Sequence, residues 1–101
     1  MSDKLIFKSN GNYLGFVREN NIFSRDGDFL GWIDNINAWD KSGAYRGELK
    51  SISGNSYILK NQYAVPPLPK AAKSVSNNFE LPNPPANIAS VEIPIGYVDA
   101  F

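Results

Sequence analysis

Two missing residue types limit the chemistry that is open to this chain. It contains no histidine and no cysteine. Histidine is the commonest general base and metal ligand near neutral pH, and cysteine supplies thiolates for nucleophilic attack, disulfides and metal binding. The ten acidic residues are therefore the main candidates for acid–base chemistry. They form no recognisable catalytic motif, and we expect a protein that is not an enzyme and uses no metal or cofactor.

One pair of acidic residues nevertheless has a regular placement. Asp34 and Asp99 each follow a triplet of glycine, an aromatic residue and an apolar residue. If the two triplets lie on equivalent strands, the carboxylates come close together and act as acid and base, as in glycosidases. The alternative is that each carboxylate caps a turn or pairs with Arg18 or Lys50.

Positive charge also recurs at a regular spacing. Lys8, Arg25 and Lys41 stand before three successive turns, where cations beside aromatic rings would suit single-stranded nucleic acid. The ten basic residues are, however, balanced by ten acidic ones, and Asp26 and Asp28 lie among the cations. Nucleic acids and anionic membranes require clustered positive charge. We therefore expect neither partner.

A set of apolar residues at equivalent positions is the strongest candidate for an interaction face. It comprises three aromatic residues, each with an aliphatic residue two positions earlier: Phe16, Trp32 and Tyr97, with Leu14, Leu30 and Ile95. Exposed together, these side chains would form an apolar patch of the kind that marks a protein interface. We predict a non-catalytic protein-interaction or assembly module, acting through a protein partner or self-association. The alternative is a module that binds a small ligand or carbohydrate on the same rings.

The spacing of these residues follows a sixteen-residue repeat that occurs three times without a gap. An aromatic residue recurs at Phe7, Phe23 and Trp39. A first glycine recurs at Gly11, Gly27 and Gly43, and a second at Gly15, Gly31 and Gly47. Repeats of this kind are supersecondary units that bury their apolar faces against one another.

Each repeat predicts a β-hairpin. Asn10-Gly11 is typical of a two-residue turn between two strands, because both central positions of a type I′ turn need positive φ. Alternation along the return strand places Tyr13, Gly15 and Val17 on the core face, with their equivalents in the next two repeats. Glycine inside a strand indicates that a neighbouring backbone or ring approaches closely.

The repeat returns in two pieces after Leu49. Tyr57 to Asn61 resembles the opening strand at Ile22 to Asp26, and Ile95 to Asp99 matches Leu30 to Asp34. We predict an all-β single domain over residues 1–101, with four hairpins in a pseudo-four-fold arrangement. The predicted hairpins are residues 5–18, 21–34, 37–50 and 56–61 plus 94–101, and a proline-rich insertion at 62–93 splits the fourth.

The insertion contains six of the seven prolines of the chain, and Pro94 follows it directly. This composition favours extended or polyproline II backbone. Two interpretations are open. The segment Pro66-Pro67-Leu68-Pro69 suits a PxxP-type ligand for an aromatic groove. Alternatively, apolar residues such as Val75, Phe79 and Ile88 hold the insertion as a strap over the aromatic residues of the domain.

The hairpin signature, the proline-rich stretch and the final Gly-Tyr-Val-Asp-Ala-Phe resemble the bacterial four-fold β-flower domain. The resemblance covers nearly the whole chain and implies four petals around a pseudo-four-fold axis. It brings no catalytic residue with it. The charge balance, the lack of an apolar signal segment and the lack of a run long enough to span a membrane predict a cytoplasmic protein.

Overall fold

A computed structural model describes residues 3–76 and 80–101. Phe79 of the proline-rich insertion therefore lies outside the described residues. The chain forms eight β-strands: β1 Lys4–Phe7, β2 Tyr13–Arg18, β3 Asn21–Ser24, β4 Phe29–Asp34, β5 Asn37–Asp40, β6 Tyr45–Ile52, β7 Asn55–Asn61 and β8 Tyr97–Asp99. Among the described residues, no helix is long and apolar enough to cross a membrane.

The strands form a closed barrel. Consecutive strands from β1 to β8 pair antiparallel, and β1 also pairs parallel with β7, where Ile6 opposes Ser56 and Phe7 opposes Tyr57. This parallel contact closes seven strands into a mixed barrel, and β8 adds to β7 beyond the closing contact. The all-β prediction is confirmed, and the antiparallel pairing of β7 with β8 joins the two pieces that the sequence assigned to one hairpin.

Aliphatic side chains fill the barrel interior. The main cluster takes residues from β1 to β5, from β7 and from the C-terminal segment: Ile6, Val17, Ile22, Ile33, Ala38, Ile58 and Ala100. Strands on all sides of a closed sheet can contribute to one cluster only on the inside of the barrel. Burial of each large aliphatic side chain contributes about 1.5–3 kcal/mol. The interior is therefore a main source of stability.

The strand glycines lie where two backbones come together. A Cβ built on Gly15 would overlap the carbonyl oxygen of Phe23, and a Cβ on Gly31 would overlap that of Trp39. A Cβ on Gly47 would likewise overlap the carbonyl oxygen of Leu59. The close approach predicted from these glycines is confirmed.

The turns within the hairpins differ from the prediction. The amide of Lys8 donates to the carbonyl of Asn12 at 2.9 Å, and the amide of Gly11 donates to that of Lys8 at 2.9 Å. Only Gly11 has positive φ, at 92°, so the loop has three residues, as in a type I turn followed by a left-handed glycine. The predicted two-residue turn is wrong at this place. A two-residue turn forms instead between the first and second hairpins, at Glu19-Asn20, where φ is 51° and 65°.

A β-bulge interrupts the return strand of each of the first three hairpins. In the first, Ile6 opposes Gly15 while Phe7 opposes Tyr13, which leaves Leu14 as an extra residue. The same shift occurs between Ile22 and Phe23, and between Ala38 and Trp39. An extra residue reverses the alternation of side chains across the bulge. Tyr13 therefore packs with Phe7, and Leu14 packs against the interior cluster, which corrects the predicted core face.

The fourth strand pair is offset from the alignment made on the sequence. Ile58 opposes Leu49 in the way that Ile22 opposes Val17 and Ala38 opposes Ile33. Ile58, rather than Tyr57, is thus the equivalent of Ile22. In addition, the pairing of β6 with β7 continues as far as Ile52 opposite Asn55. The sequence separation between the third and fourth units is therefore longer than between the earlier ones.

Parts of the proline-rich insertion lie across two hairpin tips. Near the third tip, the amide of Lys70 donates to the carbonyl of Gly43 at 2.8 Å, and the amide of Lys73 donates to that of Lys41 at 2.9 Å. Near the first tip, Ile88 and Val91 donate in the same way to Gly11 and Ser9, each at 2.9 Å. Three aliphatic residues of the insertion also pack against the cluster of Phe7, Tyr13, Tyr57 and Leu59: Ile88, Val91 and Ile93. These parts of the insertion form a strap.

Candidate functional site

The six residues of the predicted interaction face do not share one face. Phe16 is fully buried and stacks on Phe23, with ring centroids 5.3 Å apart. Leu14 and Leu30 are half-buried against the interior cluster because the bulges turn them inward. Trp32 and Tyr97 are half-buried, and Ile95 is 96% exposed. The sequence missed this division because the bulges cannot be read from simple alternation.

The three aromatic rings of that set each have a cation beside them. The Arg18 guanidinium lies 5.2 Å from the Phe16 ring centroid, and the Lys73 ammonium lies 5.5 Å from that of Trp32. The Lys50 ammonium lies 5.2 Å from the Tyr97 ring. Such pairs contribute about 0.5–1 kcal/mol each at exposed sites. A sugar would have to compete with these cations for the half-buried rings, so the rings do not form an open stacking platform.

The two acidic residues with equivalent sequence positions have different partners. The Asp34 carboxylate accepts a hydrogen bond of 2.6 Å from the Lys70 ammonium, which ties the strap to β4. The Asp99 carboxylate accepts bonds from the Ser9 amide at 2.8 Å and from the Ser9 hydroxyl at 2.7 Å. Each carboxylate therefore joins two elements of the fold.

Asp40 organises the third hairpin tip. One carboxylate oxygen accepts bonds from the Ser42 amide at 2.9 Å and the Ala44 amide at 3.1 Å, and the other lies 3.4 Å from the Arg46 guanidinium. Burial alone would raise the pKa of Asp40, but these donors and the Ser42 hydroxyl outweigh it and lower the pKa below its ordinary value of 3.8. Asp40 therefore stays ionised near neutral pH as part of the turn.

Arg18 joins the start of the chain to the strap. Its guanidinium donates two hydrogen bonds of 2.7 Å to the Asp3 carboxylate and one of 3.1 Å to the Glu80 carbonyl. The hydrogen bond from Arg18 lowers the pKa of Asp3. The bidentate geometry toward Asp3 is the strong form of an arginine–carboxylate pair. The third hydrogen bond of Arg18, to the Glu80 carbonyl, secures the strap at that residue.

A cleft of about 630 Å³ lies between β4, the third tip and the strap. Its polar walls include Lys41, Ser42, Lys73 and Ser74, all of them exposed, and Phe29 and Val75 supply apolar wall. The Lys73 ammonium is already hydrogen-bonded to the Asn21 side chain at 3.2 Å. The cleft thus offers scattered surface groups rather than a convergent set of buried donors.

The most exposed apolar side chains of the described residues lie in the connection between β7 and β8. Four of them form what we call the apolar tip surface: Tyr63, Val65, Leu68 and Ile95, which are 79%, 92%, 87% and 96% exposed. The Tyr63 ring packs on Gly96, the neighbour of Ile95, so the two segments meet. The sequence pattern singles out Leu68 and Ile95 separately but gives no signal for Tyr63 or Val65, because their exposure depends on how the strap leaves β7.

The sequence pattern of the 4-fold beta flower protein family matches residues 1–91. The chain belongs to the 4-fold beta flower family. The resemblance noted on the hairpin signature is thereby confirmed. No curated protein and no solved structure matches the chain significantly.

The family match covers most of this beta flower protein but not its last strand. Residues 1–91 include the strap up to Val91 and three of the four side chains of the apolar tip surface. Ile95 and β8 follow the matched range. Most of the exposed apolar surface thus belongs to the part of the chain that the family pattern describes.

Proposed function

We propose that this protein is a non-catalytic protein-interaction module and that it binds its partner through the apolar tip surface. The observation that carries the proposal is the exposure of four large apolar side chains, each at least 79% accessible, in the single connection between β7 and β8, whose two ends meet where the Tyr63 ring packs on Gly96. Soluble proteins rarely leave contiguous apolar area without a use, and such patches mark interfaces.

The anchoring of the strap supports this proposal. Lys70 follows the exposed stretch directly. Its amide donates a hydrogen bond to the Gly43 carbonyl, and its ammonium donates one to the Asp34 carboxylate and lies 4.8 Å from the Trp39 ring. The chain has a buried apolar cluster available, against which Ile88 and Val91 pack. Val65 and Leu68 remain outside although the strap is held close by, as expected of side chains that are used in binding.

We further infer that the four strand pairs surround a pseudo-four-fold axis, which suits an assembly module. The inference is supported by the matching places of Ile6, Ile22, Ala38 and Ile58 in the interior cluster. The side chains of the apolar tip surface all belong to the connection between β7 and β8, which has no counterpart in the first three hairpins. One partner per protein molecule is therefore expected.

Site-specific photo-crosslinking tests the proposed function. A photoreactive amino acid is placed at Val65 or at Ile95 and, as a control, at Ile36, which is 48% exposed in the turn between β4 and β5. We expect a discrete crosslinked species from positions 65 and 95 in the native host, and none from position 36. If positions 65 and 95 give no adduct, or if position 36 gives the same one, the proposal is wrong.

Light scattering on the purified protein then separates self-association from a different partner. A stable dimer that Leu68→Asp converts to a monomer would identify a second copy of the chain as the partner. A monomeric protein that still gives the crosslinked species would identify a different protein.

A further inference from the structure

We propose that residues 65–69 are a preformed polyproline II ligand and that the partner carries an aromatic-lined groove with an acidic rim. The proposal rests on the proposed function, because it names the kind of protein that the apolar tip surface binds. It follows from three properties of this stretch: its backbone restriction, its exposure between two fixed ends, and the sign of the charges around it.

The backbone of the stretch is restricted at every position. Pro66, Pro67 and Pro69 have φ fixed by the ring, and Val65 and Leu68 each precede a proline, which disfavours the helical region. Five successive residues are thus confined to extended or polyproline II backbone. With three residues per turn, Val65 and Leu68 lie along one edge and Pro66 and Pro69 along the next.

Both ends of the stretch are held while its middle is free. The amide of Ala64 donates to the Asn61 carbonyl at 3.3 Å, and the amide of Lys70 donates to the Gly43 carbonyl at 2.8 Å. Between them, residues 65–69 are all exposed and make no backbone hydrogen bond to other described residues. A segment that is already ordered loses little conformational entropy on binding, and this raises its affinity for a matching groove.

The second proline stretch of the strap shows that this exposure is specific to the first. Pro82 and Pro85, which are also three residues apart, are half-buried against the molecule. Of the three prolines in this second stretch, Pro84 alone is exposed. The chain therefore packs one edge of its second proline stretch inward and leaves the first stretch open on all sides. Pro84 supplies a matched control residue.

The charged residues next to the stretch along the chain are positive. Residues 60–79 contain Lys60, Lys70 and Lys73 and no acidic residue. The Lys70 ammonium is paired with the Asp34 carboxylate, so Lys60 and Lys73 supply the net positive charge. Aromatic-lined grooves are the recurring receptors for polyproline II ligands, and charges across an interface are arranged to be complementary. A groove with acidic residues at its rim would meet this positive field, whereas a basic rim would be repelled.

The test measures binding of the full chain to purified SH3 and WW domains, chosen to include both acidic and basic rims. Binding is followed by the fluorescence of the groove tryptophan of each domain. We expect binding to acidic-rimmed grooves, weakened about tenfold by the double variant Pro66→Ala/Pro69→Ala and unchanged by Pro84→Ala. All three sites are exposed, so an unchanged thermal midpoint verifies that the variants fold. Absence of binding to every acidic-rimmed domain, or equal weakening by Pro84→Ala, overturns the proposal.

Crosslinking separates the failure of this proposal from that of the proposed function. The double proline variant is combined with the photoreactive residue at Ile95, outside the proline stretch. Loss of the crosslinked species supports polyproline recognition. An undiminished yield that Leu68→Asp abolishes would overturn the polyproline II proposal and leave the apolar tip surface as an ordinary apolar interface.

Discussion

At the scale of single residues, the strand glycines Gly15 and Gly31 act through space rather than through backbone freedom. Gly31 lacks a positive φ, yet a Cβ there would overlap the Trp39 carbonyl. Gly54 is the converse case, with φ of 82° and no atom within 4 Å of a built Cβ. The two positions therefore separate steric overlap from backbone strain.

We expect Gly31→Ala to destabilise the protein by about 3 kcal/mol or more, since the rigid backbone of β5 must move. Gly54→Ala should cost only about 1–2 kcal/mol, the strain of a left-handed residue. Urea unfolding of both variants provides the measurement. Equal losses in the two variants would contradict the steric role of Gly31.

Tyr13 carries a buried hydroxyl that finds no hydrogen-bond partner among the described residues. An unsatisfied buried hydroxyl costs free energy, so Tyr13→Phe should leave the free energy of unfolding unchanged or raise it by up to about 1 kcal/mol at neutral pH. A clear loss of stability at neutral pH would indicate that the hydroxyl has a partner.

Burial raises the pKa of Tyr13 above its ordinary value of 10.0. The stability linked to its protonated state is therefore fully present below pH 10.0 and is lost as pH rises through the higher folded value. Tyr13→Phe should reduce the alkaline loss, and the remainder should include Tyr45, whose pKa burial also raises. Unfolding measured from pH 8 to pH 12, roughly the range that brackets tyrosine ionisation, checks this.

The lowered pKa of Asp40 predicts a loss of stability at acid pH. A carboxylate with a depressed folded pKa stabilises the native state fully above its unfolded value, near 3.8, and this stability is lost as pH falls through the folded value. We expect Asp40→Asn to cost about 1–2 kcal/mol at pH 7, from weakened hydrogen bonds at the turn.

Acid unfolding of the same Asp40→Asn variant should show a smaller loss of stability below about pH 4 than the wild type. The remaining loss should include the Asp3–Arg18 pair, because the pKa of Asp3 is also lowered. Parallel acid limbs in the two proteins would show that Asp40 does not contribute to the pH dependence.

At the scale of elements, the sixteen-residue period predicted the strands but not the faces that they present. The period predicted an all-β chain and the close glycine contacts, because a Cβ at a strand glycine would overlap the neighbouring backbone. It did not reveal the bulges at Leu14 and Leu30, since a bulge adds one residue without changing the period. One extra residue is enough to exchange the sides that Tyr13 and Leu14 occupy, so that Leu14 rather than Tyr13 faces the interior.

The candidate site was harder to predict than the fold for a related reason. The sequence offered two interpretations of the insertion, a polyproline ligand at Pro66 to Pro69 and a strap. The strap contacts form at Lys70, Lys73, Ile88 and Val91, whereas Pro66 to Pro69 stay exposed. Which proline stretch stays exposed depends on the contacts that anchor Lys70 and Ile88 at two hairpin tips. Those contacts join residues far apart in the chain, so they cannot be predicted from the local composition.

The strap itself gives a prediction at this scale. Ile88 is half-buried against the cluster of Phe7 and Tyr13, whereas Leu68 is 87% exposed. We expect Ile88→Ala to reduce the free energy of unfolding by about 1–2 kcal/mol, less than for a fully buried site. Leu68→Ala should change it by less than about 0.5 kcal/mol. If thermal or urea unfolding gave equal losses for the two, the first half of the strap would also be packed.

At the scale of the whole molecule, closure makes the strands depend on one another. The parallel contact of β1 with β7 completes the ring, and the Asp99 carboxylate fastens β8 to the first hairpin tip through Ser9. Strands all around the barrel supply the interior cluster. No strand pair can leave without exposing the side chains of the others, so the barrel should open as one cooperative unit.

Native-state hydrogen exchange on Ile6→Ala tests that cooperativity. Ile6 is fully buried in the interior cluster, and its truncation should cost about 2–4 kcal/mol. If the barrel opens as one unit, the free energy of exchange should fall by the same amount for protected amides in β3–β4, in β5–β6 and beside the mutated strand. Ile95→Ala, at a 96% exposed site, should leave every protected amide unchanged. A loss confined to β1 and β2 would mean that the hairpins open separately, and that closure through β7 adds contacts without coupling them.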